Sequence, residues 1–268
     1  MYLLFDIGAT NLRVAVSNSG RKIDKAITAK TPDKFKDGMA LLTALSEGLL
    51  KDQKPKMVVG GVASPLHGKP HKIINFIKPD WTGKLLLPHL QKIFSCPIEL
   101  ENDAALAALG EAKYGAGKTK KIIAYVTVSS GIGGARIVNG KIDTNSGGFE
   151  PRLQLLKKEP LKNFGSLSSG HAISQIYHKP GESLVDKKAW REIELWMTMG
   201  LNNIIVLWSP DILIVGGPVA KNKNISFDRI EKSLKKNLKI LAKFPKITKA
   251  KLGQLSVLYG GLTLIKNS

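Results

Sequence analysis

Hydrophobic and polar positions form two strand-like patterns at the N-terminus of the chain. Residues 3–5 are apolar, and residues 12–16 alternate between large apolar side chains and smaller or polar ones. Both patterns are typical of β-strands. The short segment between them carries small and polar residues, which suit a tight turn. The sequence therefore predicts an N-terminal β-hairpin.

The same order of elements recurs in the middle of the chain. The apolar run 122–128 leads into the small-residue segment Ser129–Gly134 and a second strand-like segment, 135–138. A glycine turn and a Lys-Ile pair follow each hairpin, with the pairs at residues 22–23 and 141–142. We interpret this recurrence as an internal repeat.

The rest of the pattern predicts helices joined by buried strands. Apolar residues at helical spacing, or dense alanine and leucine, predict helices over 37–51, 85–94, 104–114, 172–177, 189–207 and 230–241. Continuous apolar runs predict strands over 57–63, 98–100 and 211–218. Residues 144–170 show no clear periodicity.

Composition indicates a soluble globular protein. The chain has 268 residues, of which 43% are hydrophobic and 23% charged. The single cysteine, Cys96, excludes an intrachain disulfide and a cluster of cysteine metal ligands, and it fits a reducing compartment. The sequence has no apolar run of membrane-spanning length and no signal-like N-terminus. We therefore expect a cytoplasmic protein with no membrane partner.

The formal net charge of +20 raises the alternative of a nucleic-acid-binding protein. The lysines are spread over several segments, and no aromatic residues are interleaved with them to stack on bases. This distribution favours a solvated, lysine-rich surface, so we expect no nucleic-acid partner. Such a surface still attracts anionic substrates.

The two turns carry residue types that bind phosphate and magnesium. Asp6 offers a carboxylate, Gly8 leaves the backbone accessible and Thr10 offers a hydroxyl. A plain hairpin turn is the alternative explanation. The second copy, at Ser129–Gly134, favours phosphate binding, and two such loops indicate a nucleotide held in a cleft between the two halves. The glycine pair in the run 211–218 would let a flat ring or a phosphate lie against the main chain.

An Asn-Asp pair, Asn102 and Asp103, joins a predicted strand to the alanine-rich helix. Either residue suits the N-cap of that helix, and capping alone is one explanation for Asp103. The Asp103 carboxylate could also point into the cleft and accept a proton from a hydroxyl that attacks a phosphate. The residues themselves leave both explanations open.

Four motifs together resemble the ROK family of sugar kinases and related repressors, which belongs to the actin-like, hexokinase-like ATPases. Asp6–Thr10 is similar to the first phosphate motif of that family, and Ser129–Gly134 is similar to the second. Ile214–Gly217 is similar to the adenosine motif, and Glu101–Asp103 contains the family's Asn-Asp pair. The resemblance runs nearly from end to end of the chain.

The resemblance implies a two-lobed α/β fold of the actin-like, ribonuclease-H-like type, in which mixed sheets are flanked by helices. The implied lobes are residues 1–115 with 254–268, and residues 116–253. ATP and sugar would lie in the cleft between the lobes, which closes during turnover. The implied reaction is transfer of a phosphoryl group from ATP, with Mg²⁺, to a hexose or amino-hexose. A homodimer is left open.

The resemblance also implies roles for individual residues. Asp103 is the implied catalytic base, and the implied sugar-binding residues are Asn75, Asn102, Asp103 and Glu150. Asp6 would hold magnesium through water. The implied ATP-binding residues are Asp6, Gly8, Thr10, Asn11, Ser130, Gly131, Gly133, Gly216 and Gly217.

The implied sugar pocket departs from the family pattern. Leu153 stands where the family has a histidine, and Gly165 stands where a second sugar-binding glutamate is expected. The family's cysteine-rich zinc motif is absent, so we predict no structural zinc. Repressors of the family carry an N-terminal helix-turn-helix, and we expect none here because the sequence has no room for one before Asp6. We therefore predict a sugar kinase with an altered sugar pocket, and the alternative is a sugar- or nucleotide-binding regulator with weak or no catalysis.

Overall fold

The computed structural model describes residues 1–67, 71–74, 76–143 and 148–267. The chain divides into two compact units: unit 1 is Met1–Lys113 with Gln254–Ser268, and unit 2 is Tyr114–Gly253. Each unit has a five-stranded mixed sheet and its own hydrophobic core. In the described ranges, no helix is both long enough and apolar enough to cross a bilayer.

Unit 1 begins with the predicted hairpin. Its strands are β1 (Tyr2–Ile7), β2 (Asn11–Ser17), β3 (Lys25–Lys30), β4 (Val58–Val62), β5 (Leu66–His67), β6 (Lys72–Ile73) and β7 (Ile98–Asn102). The main sheet has the order β3-β2-β1-β4-β7, in which β1, β4 and β7 run parallel while β2 is antiparallel to both of its neighbours. Strands β5 and β6 form a separate antiparallel pair. The carboxyl ends of the three parallel strands therefore meet at one edge of the sheet.

The helices of the N-terminal part of unit 1 follow the predicted apolar spacing. They are α1 (Phe35–Leu50), α2 (Leu86–Ile93) and α3 (Asp103–Lys113), with a 3₁₀ helix at Pro79–Trp81. The fully buried Trp81 contacts the edge of Phe35, with ring centroids 5.2 Å apart, and stacks on Phe76. These rings form part of the core on one face of the sheet.

Unit 2 repeats the arrangement. Its strands are β8 (Ile122–Val128), β9 (Ile132–Val138), β10 (Lys141–Ile142), β11 (Leu155–Lys157), β12 (Lys162–Asn163), β13 (Ile212–Gly216) and β14 (Lys246–Lys249). The main sheet has the order β10-β9-β8-β13-β14, and β11 pairs with β12 outside it. Its helices are α4 (Phe164–Ser168), α5 (Gly170–Tyr177), α6 (Lys187–Trp208), α7 (Pro218–Lys221) and α8 (Phe227–Asn237), with a 3₁₀ helix at Pro151–Leu153.

The last helix returns the chain to unit 1. It is α9 (Ser256–Asn267), preceded by a 3₁₀ turn at Gly253–Leu255. It packs against α3 and against β1 and β4. The α3 helix and the parallel strands beside it are thereby covered by a segment from the far end of the sequence.

The shared strand order of the two sheets confirms the internal repeat and the prediction of mixed sheets flanked by helices. The two Lys-Ile pairs of the repeat differ in structure: Lys141–Ile142 forms β10, whereas residues 22–23 lie in the turn before β3, which begins at Lys25. Strand β3 was not predicted, because it is an edge strand with several exposed residues and its sequence has no apolar run. Within the unassigned stretch 144–170, the described residues form short elements, including β11, β12 and α4.

Candidate functional site

The first glycine loop connects β1 to β2 and is closed by short hydrogen bonds. The Gly8 amide donates to the Asn11 carbonyl at 3.0 Å. The buried Thr31 also holds the loop, because its hydroxyl donates to the Gly8 carbonyl at 2.7 Å and its amide donates to the Thr10 carbonyl at 3.0 Å. The protein itself therefore fixes the conformation of this loop.

Asp6, near the end of β1, is a buried carboxylate with a cationic partner. The strand register places it opposite Arg13 on β2, and Arg13 Nη1 donates to Asp6 Oδ2 at 2.9 Å. Burial disfavours the charged form and raises the pKa of Asp6 to about 6, although the charge and hydrogen bond of Arg13 lower it. Asp6 therefore changes its charge state near pH 6 in the absence of ligands.

Asp6 is expected to make the stability of unit 1 depend on pH. Its folded pKa of about 6 lies above the ordinary value of 3.8, so the folded chain binds the proton more tightly than the unfolded chain. The stabilisation is complete below the unfolded pKa and is lost as the pH rises through the folded pKa. A shift of about two pKa units corresponds to at most ~3 kcal/mol. We expect Asp6→Asn to remove this dependence.

Urea-induced unfolding in EDTA checks this expectation, with hydrogen exchange of the β1 amides as the local probe. Between about pH 4 and about pH 7, wild type should lose up to ~3 kcal/mol more free energy of unfolding than Asp6→Asn. Any constant effect of leaving Arg13 without its carboxylate partner cancels in this difference. Replacement of the exposed Asp37 by asparagine is the control and should follow wild type. If the free energy of unfolding depended on pH in the same way for wild type and Asp6→Asn, the raised pKa of the buried Asp6 would be contradicted.

The parallel strands bring Asp6 and Asp103 to the same edge of the unit 1 sheet. Asp6 pairs with Gly61 of β4, and Gly61 pairs with Glu101 of β7, so Asp6 and Glu101 are two strand spacings, about 10 Å, apart. Asp103 follows Glu101 by two residues. A Cβ built on Gly61 would lie 3.6 Å from the Cα of Asp103. Ligands of α/β sheets commonly bind at this edge.

Of the two candidates for the N-cap of α3, Asn102 and Asp103, the structure shows Asn102 in this role. Its Oδ1 accepts hydrogen bonds from the amides of Ala104 at 3.0 Å and Ala105 at 3.1 Å, and its Nδ2 donates to the Ser64 carbonyl at 3.3 Å. Asp103 is the first helical residue, and its Oδ1 accepts from the Ala104 amide at 2.8 Å. Asp103 is therefore not required as the N-cap.

The second glycine loop, between β8 and β9, is anchored to the start of α5. The Gly170 amide donates to the Ser129 carbonyl at 2.7 Å, and the His171 amide donates to the Ser130 carbonyl at 3.1 Å. A Cβ on Gly170 would lie 2.9 Å from the Ser129 oxygen, so this approach requires glycine. In contrast, a Cβ on Gly131 would meet no atom within 4 Å. Open space therefore lies beside Gly131.

The glycine pair at the end of β13 is required by protein packing. A Cβ on Gly216 would lie 2.5 Å from the hydroxyl oxygen of Tyr125, and a Cβ on Gly217 would lie 2.2 Å from the carbonyl oxygen of Val128. Gly217 also has a φ of +89°. Close approach of β13 to β8 is thus a sufficient reason for both glycines, and their contact with adenosine stays a prediction.

Glu150, the predicted sugar-binding glutamate, forms an ion pair in unit 2. Arg152 Nε donates to Glu150 Oε2 at 2.8 Å. The base of the Arg152 side chain lies against Gly165, where an added Cβ would be 3.2 Å from Arg152 Cβ. Leu153, at the position of the family histidine, is 54% exposed. One of the two departures from the family pattern, Gly165, therefore lies beside the arginine that pairs with Glu150.

Comparison with known proteins identifies the family. The model of the ROK family matches residues 2–153 and 164–268. The chain belongs to the ROK family. Its fold is similar to that of a ROK family glucokinase from Streptomyces griseus, solved in complex with glucose and AMPPNP, with a TM-score of 0.82. The two are 22% identical, and the alignment covers 100% of this chain and 99% of the glucokinase. This likeness confirms the predicted fold class.

Two relatives of the chain carry different sugars in their names. The glucokinase of Streptomyces coelicolor is 24% identical, and the alignment covers 86% of each chain. The N-acetyl-D-glucosamine kinase of Histophilus somni is 25% identical, and the alignment covers 98% of each chain. Both names describe a sugar kinase, so the relatives agree on the class of reaction and differ in the sugar.

A magnesium ion that arrives with a nucleotide fits the residues of this ROK protein. Carboxylate oxygens suit Mg²⁺, which is usually held by one or two carboxylates together with substrate phosphates and waters. Asp6 supplies such a carboxylate beside the first glycine loop. Within the described ranges, no group of three or more His, Cys, Asp or Glu side chains could hold a metal by itself. The absence of a structural zinc stays a prediction.

Each unit of the ROK fold gathers a part of the predicted residues. Unit 1 holds Asp6, the loop Gly8–Asn11 and the Asn102–Asp103 pair at one sheet edge, and unit 2 holds the second loop, Glu150 and the Gly216–Gly217 pair. Asn75 lies outside the described residues.

Four residues that position the site were not predicted: Arg13, Thr31, Ser64 and Arg152. The partner of Asp6 could have been found from the hairpin, because counting back from the turn places Arg13 opposite Asp6. The contacts of Thr31 and Ser64 join residues 23 and 38 positions apart, so no local pattern signals them.

Proposed function

We propose that the chain transfers the γ-phosphoryl group of ATP to a hydroxyl of a hexose or amino-hexose. Membership of the ROK family and the activities named for its relatives support this reaction class. The observation that carries the proposal is the position of Asp103. It lies at the carboxyl edge that also holds Asp6, and Asn102 rather than Asp103 is the N-cap of α3.

Asp103 is the base in this proposal. The sugar hydroxyl oxygen forms a bond to the γ-phosphorus while the bond from that phosphorus to the β,γ-bridging oxygen breaks, and ADP leaves. Asp103 accepts the proton that the hydroxyl loses. A positioned carboxylate is effective because most of the rate enhancement in phosphoryl transfer comes from alignment and electrostatics.

Asn102 orients the sugar. Three hydrogen bonds fix its amide: two accepted by Oδ1 and one donated by Nδ2 to the Ser64 carbonyl. An amide nitrogen has two N–H donors, so one donor remains to bind a sugar hydroxyl. Because the amide is already rigid, this contact orients the hydroxyl without a further loss of side-chain entropy.

The two glycine loops receive the phosphates of ATP, and Asp6 holds the associated magnesium through water. When bound, magnesium neutralises charge on the phosphate oxygens. The hydrogen bonds that fix each loop keep its main chain in one conformation. Phosphate binding then requires little rearrangement of the protein.

Gly131→Val tests the proposed nucleotide contact of the second loop. Valine should be accepted by the fold, since a Cβ there meets no atom within 4 Å and Gly131 has no positive φ. The branched side chain would occupy the space proposed for a phosphate. We expect the affinity for Mg·ATP, measured by calorimetry, to fall by about 10- to 100-fold, as expected for the loss of charge-assisted hydrogen bonds.

Gly48→Val is the matched control, because Gly48 also has no atom within 4 Å of an added Cβ. This variant should bind Mg·ATP like wild type. Gly217 is unsuitable for the same test, since its φ of +89° and the 2.2 Å approach to Val128 make any side chain there disruptive. Wild-type affinity in a folded Gly131→Val variant would refute the assignment of this loop to nucleotide.

A regulator that binds sugar or nucleotide without turnover is the second candidate. The Glu150–Arg152 ion pair and the exposed Leu153 favour it, because both alter the proposed sugar pocket. Coupled ADP release with Mg·ATP, measured over a panel of hexoses and amino-hexoses, separates the two. Sugar-stimulated release supports the kinase. Binding of ATP and sugar without release for any sugar supports the regulator.

A further inference from the structure

The guanidinium of Arg152 uses one of its five N–H donors. Arg152 Nε donates to Glu150 Oε2 at 2.8 Å, and none of the described residues accepts a hydrogen bond from either Nη nitrogen. The Arg152 side chain is 36% exposed and the Glu150 side chain 28% exposed. The Arg152 side chain is thus partly buried, and four donors of its rigid planar fork have no acceptor among the described residues.

The Glu150–Arg152 pair lies beside the second glycine loop. Pro151, between the two residues, packs against β9, where a Cβ on Gly134 would be 2.9 Å from Pro151 Cγ. Gly134 is only two residues beyond the start of β9, the strand that leaves the loop. A ligand that contacts Glu150 therefore also lies close to the proposed phosphate-binding loop.

Gly165 packs closely against the main chain and Cβ of Arg152. The Cβ of any residue at position 165 would lie 3.2 Å from Arg152 Cβ and 3.4 Å from the Arg152 carbonyl oxygen. Gly165 is held in place by the capping box of α4, in which Asn163 Oδ1 accepts from the Ser166 amide at 2.9 Å. Where the family pattern has a second acidic side chain, this chain has a glycine that packs against the base of the Arg152 side chain.

We propose that Arg152 binds a negatively charged group on the sugar, so that the preferred substrate is a sugar acid or a sugar phosphate rather than a neutral sugar. This rests on the proposed function, because it takes Glu150 as a sugar contact. Glu150 fixes the plane of the guanidinium, and the two Nη groups then match the paired oxygens of a carboxylate or phosphate. The net charge of +20 further favours the approach of an anionic substrate.

The test compares kcat/KM for ADP release with neutral and anionic sugars. Glucose and N-acetylglucosamine are the neutral members, gluconate and glucuronate the sugar acids, and glucose 1-phosphate the sugar phosphate. We expect wild type to favour at least one anionic sugar by about 10-fold or more, the effect of one charge-assisted hydrogen bond. Comparison of the sugar acids with the sugar phosphate shows which of the two anions Arg152 binds.

Variants assign the preference to Arg152. Arg152→Gln should lower kcat/KM for the anionic sugar by about 10- to 100-fold and change the neutral sugars far less. Arg152→Lys keeps the charge but loses the fork, so it should lie between Arg152→Gln and wild type. Arg21, exposed in the turn between β2 and β3, is the control. Arg21→Gln removes the same charge and should leave the preference unchanged.

Binding of the favoured anionic sugar without ATP, measured by calorimetry, provides a second readout. If Arg152→Gln does not fold, Arg152→Lys takes its place. A wild-type preference for a neutral sugar would overturn the inference about Arg152 and leave the kinase standing. If Arg152→Gln lowered kcat/KM equally for neutral and anionic sugars, the inference about Arg152 would also be overturned and the kinase would stand. If no sugar of either kind were bound or phosphorylated, the proposed function would fail as well.

Discussion

Asp103→Asn is expected to lower turnover of the best sugar by roughly 10²- to 10⁴-fold, the usual effect of losing a general base. Asparagine keeps the shape of aspartate but cannot accept the proton. It can still accept the hydrogen bond that the Ala104 amide donates to Asp103 at 2.8 Å, and Asn102 continues to cap α3. We therefore expect stability to change by less than about 1 kcal/mol. ATP affinity should barely change, because neither glycine loop is altered.

The measurement is coupled ADP release, with the sugar-independent rate subtracted, together with thermal unfolding of the same preparations. Asp186→Asn is the matched control. Asp186 caps α6 by accepting hydrogen bonds from the amides of Lys188 and Ala189, so this variant makes the same chemical change at another helix N-terminus. It should keep full activity. Turnover of Asp103→Asn at the wild-type rate would refute the role of Asp103 as the base.

The second large effect is expected where α9 crosses α3. A Cβ on Gly260 of α9 would lie 1.9 Å from the carbonyl oxygen of Leu106, and a Cβ on Gly110 of α3 would lie 2.3 Å from the carbonyl oxygen of Ser256. The two helix backbones thus touch with no room for a methyl group. Gly260→Ala should lower the free energy of unfolding by at least ~2 kcal/mol, because the helices must move apart.

Urea-induced unfolding measures this loss, and Gly48→Ala is the control. Gly48 is exposed in α1, and a Cβ there meets no atom within 4 Å. Alanine at that position should raise the free energy of unfolding by about 0.5–1 kcal/mol through its higher helix propensity. The same substitution is therefore expected to have opposite signs at two helical glycines. Equal stability of Gly260→Ala and wild type would contradict the close crossing of α3 and α9.

The hairpins, the main helices and the repeat could be predicted because each leaves a local periodic pattern. The cap of α3 could not, since asparagine and aspartate cap equally well and both precede the alanine-rich helix. Which of the two residues caps α3 depends on where β7 ends and on the Ser64 carbonyl, which accepts a hydrogen bond from the Asn102 side-chain amide. That carbonyl is 38 residues away in sequence, and only the folded chain brings the two together.

The glycines of the site show a second limit of sequence reasoning. Gly131 and Gly217 look alike in sequence, because each lies in a small-residue segment after a buried strand. In the fold, the position of a Cβ on Gly217 is filled by main-chain atoms of Val128, whereas the space beside Gly131 is open. A sequence cannot separate a glycine needed by packing from one that leaves room for a ligand.

The central claim is that the γ-phosphoryl group of ATP is transferred to a sugar, and the most direct test follows that group. Wild type is incubated with γ-labelled Mg·ATP and the best sugar of the panel, and the products are separated. We expect label in a sugar phosphate ester, with one ADP formed per ester, and strongly reduced ester formation by Asp103→Asn. Label found only in inorganic phosphate or only in unreacted ATP, with every sugar, would contradict it.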